Sequence, residues 1–103
     1  MPNNDVSVAL VVRLYARETT SEELADVLTS AVALANDEPG TTVWFALRTD
    51  ERTFWIVDAF PTEEERRDHL SGPIAATLTE KADELLAGPP EILPAVVLAA
   101  KLP

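Results

Sequence analysis

TVWFALRTDERTFWIVDAF, residues 42–60, holds both tryptophans, all three phenylalanines and two arginines of a 103-residue chain. It reads as a β-hairpin with arms over 42–48 and 53–60 and TDER as a four-residue loop. Large apolar side chains fall on both parities of both arms, so neither sheet face is polar. Pairing around that loop puts Val43, Phe45, Leu47, Phe54, Ile56, Asp58 and Phe60 on one face. Trp44, Ala46, Arg48, Trp55, Val57 and Ala59 take the other, with Trp44 beside Val57 and Trp55 beside Ala46. The helices of so small a chain cover one face. Leaving the other in water would forgo several kcal/mol at roughly 25 cal/mol per Å² of apolar area. The expectation is an obligate homodimer, laid sheet to sheet.

Outward from the hairpin, VSVALVVRLYA (6–16) reads as a strand buried on both sides. Thr20 and Glu23 match a capping box, and Leu24, Val27, Leu28, Ala31, Val32 and Ala35 recur at helical spacing, predicting a helix over 21–36 that NDEPG stops. Thr62 with Glu65 is a second capping box, opening EEERRDHL. SGP (71–73) breaks that helix, and Pro73 suits the first turn of another with Ile74, Leu78, Ala82, Leu85 and Leu86 as its stripe. ILPAVVLAAKL (92–102) is the last strand, and Pro94 puts it at an edge or delays its start. The order β-α-β-β-α-β predicts an α+β, ferredoxin-like fold: a four-stranded antiparallel sheet with helices on one face. Residues 1–5 read as a flexible tail and 6–103 as one domain.

The formal net charge is −10, against nucleic acid or an anionic membrane as partner, and suits a cytoplasmic protein. No cysteine and one histidine leave no disulfide framework, thiolate nucleophile or zinc site in view. Three scattered glycines make no phosphate-cradling loop, there is no G-x-S-x-G elbow, and no apolar run is long enough to span a membrane.

Glu38-Pro39-Gly40, Trp44, Asp58 with Phe60, His69-Leu70, and Ser71 with Pro73 follow one another in an order that resembles the antibiotic biosynthesis monooxygenase family, quinol monooxygenases included. The resemblance spans about residues 6–100. It implies a dimeric α+β barrel and oxidation of a small phenolic, quinol or anthrone-like compound by O2, with no cofactor. A heme-degrading branch of that family places an Asn, a His and a pocket Trp where this chain has Val12, Leu78 and His69, so heme degradation is not expected.

His69 is the one side chain tunable near neutral pH and the candidate proton acceptor. Asp58, a lone acid among apolar neighbours, is the second catalytic candidate, with pairing to Arg48 or Arg13 as the plainer account. Trp44, Trp55, Phe60, Arg48, Val12 and Leu78 are candidates for binding a small hydrophobic aromatic ligand. The alternatives are a non-catalytic domain that binds such a ligand and a purely structural dimer.

Overall fold

A computed structural model describes residues 6–103, so the tail expected at 1–5 lies outside the described residues. The elements run β1 (Val8–Tyr15), α1 (Ser21–Asn36), β2 (Val43–Arg48), β3 (Thr53–Phe60), α2 (Glu63–Leu70), α3 (Pro73–Leu85) and β4 (Glu91–Val96). The sheet order is β2-β3-β1-β4, every neighbouring pair antiparallel, which is the ferredoxin-like arrangement. The Val/Leu-rich β1 and the aromatic β3 are central. Their inward residues Leu10, Val12, Leu14, Phe54, Ile56 and Phe60 form the core with Leu24, Leu28 and Leu85 of the helices.

The hairpin turns one residue later than its pattern suggests. Arg48 pairs with Phe54, Leu47 with Trp55 and Trp44 with Asp58. The cause is local: Asp50 Oδ1 accepts from the backbone N–H of Arg52 and of Thr53, at 3.0 and 2.9 Å, and Thr49 N–H donates to the Thr53 carbonyl at 3.0 Å. This Asx-type turn consumes an extra residue. A one-residue slip exchanges the faces of one arm relative to the other. Trp44 therefore shares the helix-facing side with Phe54, Ile56, Asp58 and Phe60, while Phe45 and Leu47 share the opposite face with Trp55 and Val57. The two tryptophans, expected on one face, are on different faces.

That opposite face carries no helix. Phe45, Leu47 and Leu93 there are 55, 46 and 46 % exposed. The two-sided burial expected of 6–16 is met on one side within the chain: Leu10, Val12 and Leu14 are buried, whereas Arg13 and Tyr15 are exposed. The last strand ends at Val96, short of the expected 102; Pro94 lies within it at the sheet edge, paired with Leu10.

Of the two expected capping boxes, the second forms in its forward half only, since the Glu65 carboxylate meets the Thr62 hydroxyl and not the Thr62 backbone N–H. Thr62 Oγ1 accepts from Glu65 N–H at 3.2 Å and bonds the Glu65 carboxylate at 3.1 Å. Thr20 is the N-cap of α1 but its hydroxyl makes no cap bond. It donates to the Leu85 carbonyl at 2.6 Å, tying the start of α1 to the end of α3. Pro73 occupies the first turn of α3.

Candidate functional site

α2 is short and strongly polar, and the one buried residue it carries is His69 in its last turn. The Thr62 cap and the Ser71–Gly72 break fix where that turn lies. The preceding half of the site is the Glu38-Pro39-Gly40 turn, closed by Glu38 N–H to the Ala35 carbonyl and Thr41 N–H to the Glu38 carbonyl, each 3.1 Å. The third part is Asp58 on β3, held by ladder pairing with Leu10 on one side and Trp44 on the other.

These three elements meet at one imidazole. His69 Nδ1 is 2.6 Å from Glu38 Oε1, and Nε2 is 3.0 Å from Asp58 Oδ2. The first contact is a hydrogen bond; the second is within ion-pair reach but off the line of a good hydrogen bond, leaving both Asp58 oxygens without an aligned donor. Thr41 Oγ1 donates to the same Glu38 oxygen at 2.7 Å and stands 3.5 Å from Nδ1. The Phe60 ring packs against the imidazole at 5.2 Å between centroids. Side-chain exposures are 7 % for His69, 1 % for Asp58 and 17 % for Glu38.

The charge state follows from the geometry. A neutral imidazole has one N–H, and here each ring nitrogen faces a carboxylate. Burial works against a charge on His69, but the two carboxylates of Asp58 and Glu38 facing its ring nitrogens outweigh it and raise the pKa above its ordinary 6.5. The Asp58–arginine pairing is overturned. Arg48 lies at the far end of β2, where it bonds Glu22 at 3.0 Å and covers the Phe54 ring, and Arg13 meets Glu91 at 3.4 Å on the open face.

Beside His69 opens a cleft of about 320 Å³ between the Glu38–Thr41 turn and the α2–α3 junction. Its walls include Asp37, Glu38, Glu65 and Asp68, with His69, Gly72 and Pro73, and among the described residues no lysine or arginine lines it. Among the described residues, Glu38 Oε2 is buried with no hydrogen-bond partner. Gly72 lets that oxygen approach: a Cβ there would lie 3.3 Å from it. Among the described residues no group of three or more acids, histidines or cysteines is disposed to hold a metal ion. No helix among them is long and apolar enough to cross a membrane.

The structure brings His69 and Asp58 together and adds Glu38, which the sequence marks only as part of its turn motif. None of Trp44, Trp55, Phe60, Arg48, Val12 and Leu78 borders this cleft. Phe60 and Val12 are core; Trp44 and Leu78 pack against it. Trp55 Nε1 donates to Thr49 Oγ1 at 2.8 Å on the other face of the sheet.

No family model and no curated protein matches the chain. Among solved structures, the protein NE2512 of unknown function from Nitrosomonas europaea is 50 % identical, with a TM-score of 0.94 over 95 % of each chain. A "putative antibiotic biosynthesis monooxygenase", also from Nitrosomonas europaea, superposes with a TM-score of 0.81 at 16 % identity over 89 % of this chain and 99 % of its own. Rv0793 from Mycobacterium tuberculosis gives 0.82 at 17 % identity over 91 and 97 %. At those identities the likeness is one of fold, and the fold is the one the ordered motifs imply.

Proposed function

This chain belongs to the family of NE2512 and has the fold seen in antibiotic biosynthesis monooxygenases, and from that premise we propose that it is a cofactor-independent monooxygenase of a small aromatic hydroxyl compound. The observation that carries the reading is the buried Glu38–His69–Asp58 line ending at a cleft. At about 320 Å³ the cleft suits a ligand of one or two rings. Its acidic walls favour a neutral hydroxyl donor over a preformed phenolate. Glu38, which lines the cleft and whose Oε2 lies buried and unpartnered among the described residues, is the group that takes the hydroxyl proton, and the His69 imidazolium holds its other oxygen in place. Asp58 keeps His69 charged. The ionised substrate then passes an electron to O2, the two radicals join through a new C–O bond, and loss of water leaves a carbonyl. One oxygen atom enters the product, the other leaves as water, and the substrate's two lost hydrogens supply the reducing equivalents. No outside reductant is needed.

The dimer belongs to the same reading. A second copy would cover Phe45, Leu47 and Leu93. A cytoplasmic setting is consistent with the acidity and the lack of cysteine.

A second reading, a non-catalytic ligand-binding or structural dimer, has its own observation. Both ring nitrogens of His69 are engaged, and the space between sheet and helices is filled by Leu10, Leu14, Phe60 and Ile74 at 2 % exposure or less. Oxygen uptake with a panel of anthrones, hydroquinones and naphthols decides between them. The monooxygenase consumes O2 in proportion to product, and Glu38→Gln slows it by about 100-fold or more. Absence of uptake across the panel favours the second reading.

A further inference from the structure

We propose that His69 is a proton-operated bolt on this cleft: the protonated ring fastens the Glu38–Thr41 turn to α2 and β3, and loss of its proton frees the turn and widens the cleft. The inference concerns the cleft of the proposed activity but stands on its geometry whether or not the site is catalytic.

The two ring nitrogens stand 2.6 and 3.0 Å from carboxylate oxygens on different elements. Only the doubly protonated ring presents an N–H toward each of them. Once neutral, it turns a lone pair toward one carboxylate at contact distance, and that contact must lengthen. Asp58 cannot be the one to leave. It is 1 % exposed and lies mid-strand in β3, paired on both sides. Glu38 is partly exposed on a surface turn secured locally by two backbone hydrogen bonds, so the turn is what moves. The other groups facing the ring are the Thr41 hydroxyl, already given to Glu38, and the Phe60 ring. Glu65 and Asp68 of its own helix and Asp37 of the turn border the same cleft, and among the described residues no cationic side chain on its walls stands in for the lost charge. The sign is fixed: closed below the folded-state pKa of His69, open above it.

His69 is the chain's only histidine, so its titration is unambiguous by nuclear magnetic resonance. The experiment follows the ring nitrogens of the full chain from pH 5 to 10 together with amide hydrogen exchange, corrected for intrinsic base catalysis. As the ring loses its proton, exchange at the Glu38 and Thr41 amides should rise about tenfold for each unit by which the closed-state pKa exceeds the open-state one. Amides of β1 and β3 should keep their protection. In Glu38→Gln the amide serves either protonation state of the ring, so the step at Thr41 disappears. Four results would overturn the proposal. They are a titrating ring with an unresponsive turn, a ring that keeps its proton to pH 10, sheet amides opening in the same step, and a Glu38→Gln variant that retains the step.

Discussion

At the residue scale, the imidazole between two acids makes stability itself pH-dependent. The folded-state pKa of His69 lies above its unfolded value. The contact therefore contributes fully below about pH 6.5, and its contribution is lost as pH rises through the folded pKa. Thermal melts of the wild type should fall over that interval, and the same melts of His69→Asn should show no such step. The histidine rests on Phe60, which is fully buried at 0 % exposure. Phe60→Ala should cost about 3–5 kcal/mol in denaturant unfolding, because the vacated volume lies where β3, α2 and the core meet. Phe60→Leu should recover most of it. The sequence marks His69 as its one side chain tunable near neutral pH and Asp58 as a lone acid among apolar neighbours. It does not mark their pairing. Glu38 and His69 are thirty-one positions apart, and their contact depends on where the turn closes against α2. Arginine is the expected partner of a buried Asp in a hairpin, but Arg48 stands opposite Phe54, four residues along β3 from Asp58.

At the scale of elements, two threonines with the same local signature do different work. Thr62 caps α2, so Thr62→Ala should destabilise by about 1 kcal/mol and fray the first turn of the helix that carries His69. Thr20 spends its hydroxyl on the Leu85 carbonyl, sixty-five positions away. Thr20→Ala should cost a similar ~1 kcal/mol by leaving a part-buried carbonyl without that donor. The two separate by amide exchange: loss of Thr62 exposes the first turn of α2, whereas loss of Thr20 loosens the end of α3. The element order and the bounds of α1 are legible because periodicity and breakers are local properties. The hairpin register is not, because a loop of four and an Asx turn that takes one more leave the same alternation in each arm. Asp50 decides it. Its carboxyl is held below its ordinary pKa by the backbone N–H of Arg52 and the bonds to Thr53. Asp50→Ala should loosen the turn, read as faster exchange at Thr53 N–H.

At the scale of the whole molecule, the open sheet face sets the last expectation. Within one chain the helices cover one face, and the other presents Phe45, Leu47, Trp55, Val57 and Leu93. Phe45 and Val57 also border a hollow of about 520 Å³ that Val97 and residues 100–103 line from the other side. A stable pairing needs roughly 1,200–2,000 Å² of total buried surface, and a four-stranded face is of the right order. The slip in register sharpens which residues take part. With a four-residue loop, Trp44 would stand at the interface beside Trp55; in the structure Trp44 packs on the core instead, and Phe45 takes the outward place. Light scattering at micromolar concentration should therefore give twice the 11.2 kDa chain mass. Phe45→Glu puts a charge where the two faces would meet and should shift the protein to monomer while leaving the helix-facing core intact. Trp44→Phe, a change on the core side, should lower stability without altering the mass. If Trp44→Phe dissociates the assembly and Phe45→Glu does not, the copies meet elsewhere, and the apolar face must be covered by something other than its twin.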